Sequence, residues 1–253
     1  MMLGIYLSGS GNTKHCVEKL MNLLDQQAVA MPIENEEAAK EIENHSFIIL
    51  GYMTQYSNIP VMVRDFIREH KELWKGKEVF CITTMGLFAG DGTGCAARLL
   101  TKYGAKVVGG LQIRMPDSIC DEKLLKNSAE KNREIISSAD VRLEAAAEQM
   151  NQGNYPKEGL GVVAHMKGLF GQRLWFYNKT QHYTDKLKIS DACKACGLCA
   201  EQCPMHNLTI QNGKVVVGDR CTMCYRCLNH CPQKAMTLLG KEVHQQYRVD
   251  LYH

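Results

Sequence analysis

The sequence lacks any apolar run that approaches the ~20 residues an α-helix needs to cross a bilayer. Its first residues also lack the basic segment and the long apolar stretch of a secretory signal peptide. No dense run of Lys and Arg with interleaved aromatic residues is present, which argues against nucleic acid as a partner. We therefore expect a cytoplasmic protein with no membrane span.

Cysteine is the one residue type that departs from an ordinary composition. The 253 residues are 45% hydrophobic and 23% charged, which is typical of a soluble globular protein, but 12 of them are Cys. The reducing cytosol disfavours structural disulfides, so this many thiols indicate metal binding or redox chemistry.

Charge is distributed unevenly along the chain. Residues 1–150 carry a net charge of −3 and residues 151–253 a net charge of +6, which together give the +3 of the whole chain. The net positive charge of residues 151–253 could attract an acidic partner protein. Ordinary variation in surface composition explains the charge difference equally well.

Over residues 1–150, short apolar runs alternate with amphipathic segments. The runs at 3–7, 47–50, 79–84 and 106–113 predict buried strands. The segments at 13–24, from Pro60 onward, at 94–103 and at 121–150 predict helices. Strands separated by helices of this length indicate an α/β fold with a parallel, doubly wound sheet. Ligands of such sheets bind at the carboxyl ends of the strands, where the strand order reverses.

The first predicted strand leads into a loop of serines and glycines that opens a helix. Glycines let backbone N–H groups turn inward around an anion, and the helix N-terminus adds a partial positive charge. The loop has neither the Gly-Lys-Ser/Thr ending of nucleoside-triphosphate sites nor the G-x-G-x-x-G dinucleotide pattern. We name it the phosphate loop, and it consists of Ser8, Gly9, Ser10, Gly11, Asn12 and Thr13.

This loop resembles the Ser/Thr-x-Ser/Thr-Gly-x-Thr loop of flavodoxins, which binds the phosphate of FMN. Ser8, Ser10, Gly11 and Thr13 match that pattern position by position. The resemblance implies a flavodoxin-like five-stranded sheet, FMN as cofactor, and two further loops that flank the flavin ring. Those loops contain Met53, Thr54, Gln55, Tyr56, Ser57 and Asn58, and then Thr83, Thr84, Met85, Gly86, Gly90 and Asp91.

The second of these loops departs from many flavodoxin-like relatives. Met53 and Gln55 stand where those relatives have Pro and Tyr. The ring could therefore be covered by Tyr56 or Met53, or one face of it could lie open.

The strongest pattern in the chain is a C-x₂-C-x₂-C-x₃-C-P run that occurs twice, with a period of 28 residues. The period indicates an internal duplication, and the spacing resembles that of bacterial ferredoxins with two [4Fe–4S] clusters. The runs are Cys193, Cys196, Cys199 and Cys203 before Pro204, and Cys221, Cys224, Cys227 and Cys231 before Pro232.

The spacing predicts that the two runs exchange one ligand. Three thiolates from one tight loop can reach three corners of a cube, whereas the Cys before Pro reaches the other cube. We expect cluster one to be held by Cys193, Cys196, Cys199 and Cys231, and cluster two by Cys203, Cys221, Cys224 and Cys227. Zinc is the competing interpretation, but structural zinc sites use two C-x₂₋₄-C pairs, which fits these runs less well.

The polar, turn-rich residues 150–156 mark a boundary. We expect a flavodoxin-like FMN-binding domain over 1–150, a connecting and packing segment over 151–187, and a small α+β 2[4Fe–4S] ferredoxin-like domain over 188–253. The aromatic residues of the connecting segment are expected to anchor one domain on the other. They are Phe170, Trp175, Phe176 and Tyr177.

Taken together, the two halves resemble a flavodoxin–ferredoxin fusion protein. The resemblance implies an electron-transfer iron–sulfur flavoprotein that passes electrons between FMN and two [4Fe–4S] clusters and on to a redox partner protein. An FMN-dependent reductase with its own organic substrate above the flavin is the alternative, and a redox sensor is a third hypothesis. A closed ring face would indicate a carrier, whereas a roomy pocket with polar groups would indicate an enzyme.

Overall fold

The structure, a computed structural model, describes residues 1–176 and 186–252. Its first unit is built on five parallel strands in the order β2-β1-β3-β4-β5. This order confirms the doubly wound, flavodoxin-like sheet predicted from the sequence. The strands are β1 (Met2–Tyr6), β2 (Val29–Pro32), β3 (Phe47–Met53), β4 (Glu78–Met85) and β5 (Lys106–Arg114).

Helices cover both faces of this sheet, and alternate strand residues face opposite sides. Ile49 of β3 packs in a core with the first and last helices, whereas Ile48 and Leu50 pack in a second core with the other three. Burial on both faces is typical of a parallel sheet. The helices are α1 (Asn12–Leu24), α2 (Ala38–Asn44), α3 (Val61–Glu69), α4 (Gly92–Lys102) and α5 (Ala129–Asn151).

Three elements of this unit differ from the sequence expectation. The apolar runs did not indicate the edge strand β2 or the short helix α2, and β2 is only partly buried. The helix expected over 121–150 instead begins at residue 129, where the Ser128 hydroxyl accepts a hydrogen bond from the N–H of Lys131 at 3.2 Å. Residues before it form a loop with one 3₁₀ turn, Lys123–Leu125.

The connecting segment lies against the first unit as a short helix, α6 (Val162–Gly168), which continues through a π-helical turn into α7 (Leu174–Phe176). The expected aromatic anchoring is wrong for Phe170 and Trp175, which are 54% and 76% exposed. Phe176 does pack, with its ring stacked on Tyr56 at a centroid distance of 4.7 Å. Tyr177 lies outside the described residues.

The buried carboxylate of Asp91 instead holds the connecting segment against the first unit. Asp91 is fully buried and accepts hydrogen bonds from Arg98 Nη2 at 2.7 Å and from His165 Nδ1 at 2.8 Å, with Arg173 Nη2 at 2.8 Å. Burial alone would raise the pKa of Asp91, but the hydrogen bonds from Arg98 and His165 outweigh it and lower the pKa. Arg173 also donates to Cys95 Sγ at 2.7 Å, and burial raises the pKa of that thiol to about 11.

The second unit consists of two small antiparallel ribbons and two short helices. Asn212 and Gly213 join β7 to β8 with φ angles of 50° and 72°, as a type I′ hairpin turn requires. The elements are β6 (Lys188–Ile189), α8 (Leu198–Glu201), β7 (Leu208–Gln211), β8 (Lys214–Val217), α9 (Arg226–His230) and β9 (Met236–Thr237), with β6 paired to β9.

The two units are joined by buried polar contacts as well as by the chain. Asp121 is 1% exposed, and its Oδ2 accepts N–H groups of Leu238 and Leu239 at 2.6 and 3.0 Å. The C-terminal residues then return to the first unit, where Tyr247 and Val249 join the core on the α1 side of the sheet. Within the described residues, no helix has both the length and the apolar character to cross a membrane.

Replacing Asp91 with Asn should lower the free energy of unfolding by about 3 kcal/mol, because the mostly buried Arg173 loses its countercharge. The pKa of Asp91 is lowered by folding, so the stabilisation is present at neutral pH and is lost as the pH falls through that lowered pKa. Urea unfolding at neutral and acid pH measures both effects.

The matched control is Glu78→Gln, which removes an exposed ion pair with Lys106 and should change stability by less than about 1 kcal/mol. Equal losses in the two variants would show that Asp91 is not the fastening contact.

Candidate functional site

The structure brings four cysteines from both runs around one cavity. Its wall contains Cys193, Cys196 and Cys199 of the first run and Cys231 of the second. Leu198, Val215 and Met236 supply apolar surface to the same wall. The grouping is the one expected for cluster one.

The other four cysteines also lie close together. Burial raises the pKa of Cys227 well above that of a free thiol, and the neighbouring thiols of Cys224, Cys221 and Cys203 raise it further. Cys203 of the first run thus neighbours the second run, as expected for cluster two. Among residues 1–176 and 186–252, no group of three or more His, Cys, Asp or Glu is arranged to hold a single metal ion.

The duplication is visible in the backbone of the two runs. Left-handed φ angles occur at Ala195 and Met223 (49° and 52°) and at His206 and Lys234 (both 48°), each pair separated by the repeat period. Non-glycine residues rarely adopt this conformation, so its repetition indicates a shared requirement of the two loops.

A third left-handed pair differs in residue type. Gly197 in the first run has φ 86°, and Tyr225 stands at the equivalent place with φ 62°. The Tyr225 hydroxyl donates to Asp121 Oδ1 at 3.0 Å, so this side chain links the second run to the first unit. The second run thus has a side chain in contact with the first unit at the position where the first run has glycine.

Backbone N–H groups point at the cysteine sulfurs in the same repeated pattern. The N–H of Ala195 donates to Cys193 Sγ and that of Met223 to Cys221 Sγ, both at 3.4 Å. Two further bonds join Asn207 to Cys203 and Ala235 to Cys231, at 3.3 and 3.4 Å. Such bonds stabilise negative charge on cluster thiolates and so tune the reduction potential.

The two cysteine sets differ in what they face. Cys196 of the first set is exposed, whereas Cys224 of the second is buried. A Cβ atom at Gly9 would overlap the carbonyl oxygen of Cys224, so the cluster-two loop lies directly on the phosphate loop. The cysteines expected to hold cluster one therefore reach solvent, whereas those expected to hold cluster two face the first unit.

The phosphate loop leads directly into α1. Gly11 has φ 91°, and α1 begins at Asn12 without a side-chain cap, so no cap side chain binds the first N–H groups of the helix, which have no intrahelical partners. Ser8 is 7% exposed, and its hydroxyl has no hydrogen-bond partner among the described residues. A buried unpaired hydroxyl beside a helix N-terminus fits a phosphate group. Ser8, Ser10, Gly11 and Thr13 would hold that group.

The second predicted loop is engaged with the rest of the protein. Gln55 is 4% exposed, and its Nε2 donates to the carbonyl oxygens of Thr222 and Met223 at 2.7 and 3.1 Å. The Ser57 hydroxyl bonds Gln172 Oε1 at 2.6 Å, and backbone bonds of 3.0 Å join Gln55 to Asn58. These side chains position the cluster-two loop and the connecting segment.

The third loop is likewise packed, and little space is left where the three loops meet. The hydroxyl of Thr83 bonds that of Thr93 at 3.0 Å, and that of Thr84 bonds that of Thr13 at 2.9 Å. We name the remaining gap the small cleft; it measures about 90 Å³. Its wall includes Met53, Thr54, Gln55, Thr84, Met85 and Gly86, together with Met223 and Tyr225 of the second unit. Gly90 and Asp91 lie outside it, against the connecting segment.

A second space adjoins the other side of the phosphate loop. It measures about 640 Å³ and lies between the ends of β1 and β2 and the second unit. We name it the junction cavity. Sequence reasoning missed its outer wall, formed by Glu34, Gln202, Arg226 and His230, because no local pattern marks residues that meet only when the two units pack.

Comparison with known proteins agrees with both units. Residues 3–108 match the flavodoxin domain family, and residues 179–236 match the 4Fe-4S dicluster domain family. The chain is a flavodoxin domain followed by a 4Fe-4S dicluster domain. The flavodoxin–ferredoxin resemblance is thus confirmed. The flavodoxin domain implies FMN, and the dicluster domain implies two [4Fe–4S] clusters.

Solved flavodoxins are similar to the first domain. The two-electron reduced flavodoxin of Megasphaera elsdenii is 22% identical, with 58% of this chain and 99% of that chain covered and a TM-score of 0.43. An FMN-bound flavodoxin of Fusobacterium nucleatum is 18% identical, with 60% and 98% covered and a TM-score of 0.41. No curated protein matches the chain.

Pairs of Cys→Ala substitutions should reveal whether the two runs exchange a ligand. With exchange, Cys203→Ala and Cys221→Ala remove ligands from the same cluster, so the double variant should keep one intact cubane of about four iron atoms. Cys203→Ala with Cys193→Ala damages both clusters. Iron analysis and electron paramagnetic resonance of the dithionite-reduced proteins measure the outcome.

Wild type should show magnetic coupling between two adjacent reduced cubanes, and the first double variant should show one uncoupled cubane. The reverse result, with an intact cubane only in the Cys203/Cys193 variant, would contradict the exchange.

Proposed function

We propose that this FMN/iron–sulfur electron-transfer protein passes electrons between FMN, cluster two and cluster one, and then to a redox partner protein. Bound FMN exchanges one or two electrons, whereas each [4Fe–4S] cluster carries one. The packing of the two units supports this order.

The observation that carries this proposal is the contact between the cluster-two loop and the phosphate loop. Cys224 lies against Gly9, and the Arg226 guanidinium donates to the Ser8 carbonyl oxygen at 2.8 Å. A flavin phosphate held by the loop would thus adjoin the cluster-two loop through a single layer of backbone. Cluster two would also lie next to cluster one, because Arg226, between Cys224 and Cys227, donates to the carbonyl oxygen of Gln202, which precedes Cys203, at 3.0 Å.

The small cleft supports a carrier over a reductase. An organic substrate stacked on a flavin ring needs a pocket on the scale of roughly 300 Å³ or more. The space where the second and third loops meet measures about 90 Å³, and Met223 and Tyr225 form part of its wall. Met223 and Tyr225 would thus stand where a substrate would approach a ring held between these loops.

The exposed side of cluster one is the proposed exit to the partner. Cys196 is exposed there, and the exposed Lys194 and Lys234 neighbour ligand cysteines in the chain. Positive charge around an electron exit favours encounter with an acidic surface. We therefore propose an acidic ferredoxin-type protein as the partner.

Stopped-flow absorbance under anaerobic conditions tests this function. The reduced protein, loaded with FMN and both clusters, is mixed with an oxidised acidic ferredoxin. We expect both flavin and cluster absorbance to return to the oxidised state as the ferredoxin is reduced. Lys194→Glu with Lys234→Glu should slow this exchange roughly tenfold at low ionic strength, and salt should remove the difference.

The control is Lys40→Glu with Lys71→Glu, which changes the net charge equally on exposed surfaces of the flavodoxin domain. Exchange in the control should remain near the wild-type rate. Equal slowing in both double variants would contradict an exit at cluster one, and absence of exchange in the wild type would contradict the carrier function.

A further inference from the structure

Two carbonyl oxygens of the phosphate loop are bound by residues from the C-terminal part of the chain. The Ser8 carbonyl oxygen accepts two hydrogen bonds from the Arg226 guanidinium, from Nη2 at 2.8 Å and from Nε at 3.3 Å. The Ser10 carbonyl oxygen accepts the N–H of Val249 at 2.9 Å. Both carbonyl groups therefore point out of the loop.

These two contacts fix the direction of N–H groups in the loop. A trans peptide unit is planar, so its N–H points opposite to its carbonyl group. The N–H of Gly9 is therefore turned away from the partner of the Ser8 carbonyl. In the same way, the N–H of Gly11 is turned away from the partner of the Ser10 carbonyl. N–H groups of this kind, at the start of a helix, are the donors that bind a phosphate.

The position of Arg226 depends in turn on the cluster-two loop. Arg226 stands between Cys224 and Cys227 in the chain, at the first residue of α9. Tyr225, the residue before it, has a left-handed φ of 62°. Non-glycine residues keep this conformation only where the surrounding structure enforces it. Binding of both cysteines to one cubane would supply that constraint, so loss of cluster two would release the guanidinium from Ser8.

The Arg226 guanidinium is already occupied by protein groups. In the wall of the junction cavity, its Nη2 also donates to Glu34 Oε1 at 2.6 Å, and its Nη1 donates to the Gln202 carbonyl oxygen at 3.0 Å. Its charge is thus balanced by a carboxylate. A phosphate in the loop would meet backbone N–H groups rather than this guanidinium, so the influence of Arg226 on a phosphate passes through the loop.

We propose that Arg226 is a positioning residue for the FMN phosphate, through which the affinity for FMN depends on cluster two. This inference rests on the proposed function and adds a coupling between its two kinds of cofactor. Coupling between two binding sites is reciprocal, so FMN in its site would also stabilise cluster two. Loading of either domain with its cofactor would thus favour loading of the other.

Four FMN affinities form a cycle that tests this coupling. Full-length wild type and Arg226→Gln are each prepared anaerobically with both clusters and, after iron chelation, without them. Buried bonds of Gln55 and Asp121 also join the two units, so the variant should keep its clusters, which iron content and absorbance verify. Titration of FMN fluorescence gives the Kd of each form, with riboflavin as the ligand that lacks the phosphate.

We expect removal of the clusters to raise the wild-type Kd for FMN roughly tenfold. In cluster-loaded Arg226→Gln the Kd for FMN should already be raised to a similar degree, and removal of the clusters should then change it by less than about threefold. The Kd for riboflavin should be the same in the two loaded proteins. In the reciprocal measurement, FMN should slow the release of iron to a chelator from wild type but not from the variant.

The matched control is Arg220→Gln, which removes an exposed positive charge from the residue before Cys221 and should keep the wild-type values. If cluster-loaded Arg226→Gln has the wild-type Kd for FMN, or responds to cluster removal as wild type does, the positioning role is overturned. A raised Kd for riboflavin in this variant would indicate general damage to the site and would overturn it as well.

The wild-type measurements decide the coupling even if Arg226→Gln does not keep its clusters. Release of iron at a rate that is independent of FMN would overturn the coupling and leave the proposed function intact. Failure of the cluster-loaded wild type to bind FMN would instead overturn the flavin part of the proposed function.

Discussion

The arrangement of the two domains depends on the Arg226 guanidinium. It donates to the Ser8 carbonyl oxygen at 2.8 Å, to the Gln202 carbonyl oxygen at 3.0 Å and to Glu34 Oε1 at 2.6 Å. One side chain from the second cysteine run thus holds the phosphate loop, the loop after β2 and the end of α8. The Arg226 and Glu34 side chains are each 18% exposed. Loss of either side chain would therefore leave the other as a largely buried charge without a partner, which destabilises a protein more than the loss of a surface ion pair.

Around this contact, residues of the phosphate loop and of the second predicted loop take part in the packing of the second unit. Gln55 binds the cluster-two loop through its side chain, and Asn12 binds Tyr247 from the C-terminal residues. The phosphate loop keeps its glycines and its unpaired Ser8 hydroxyl. In this fold the phosphate loop therefore keeps the features expected of an anion site, whereas the second predicted loop packs against the second unit.

Local sequence patterns were sufficient to predict those parts of the structure that depend on residues close together in the chain. The phosphate loop and the two cysteine runs could be predicted because three or four fixed spacings within a dozen residues define their chemistry. The strands β1, β3, β4 and β5 could be predicted because they are buried on both faces and therefore apolar. The edge strand β2 could not be predicted in this way, because it is partly exposed to solvent and its residues form no distinct apolar run.

The features that could not be predicted depend on contacts between residues that are far apart in the sequence. Residues 121–128 form no α-helix, and the Asp121 side chain is bonded to residues more than a hundred positions away. Gln55 looked like a flavin neighbour, but its partners lie in the other domain. The exposed Trp175 looked like a packing residue because composition does not show whether an aromatic side chain finds a partner.

Two iron–sulfur cubanes in series, with the second against the phosphate loop, form the proposed electron path. Anomalous X-ray diffraction from anaerobic crystals, measured on both sides of the iron absorption edge, tests it most directly. The account predicts two iron peaks: one among Cys193, Cys196, Cys199 and Cys231, and one among Cys203, Cys221, Cys224 and Cys227, beside Gly9. A single iron peak, or anomalous scattering at the zinc edge in place of iron, would contradict it.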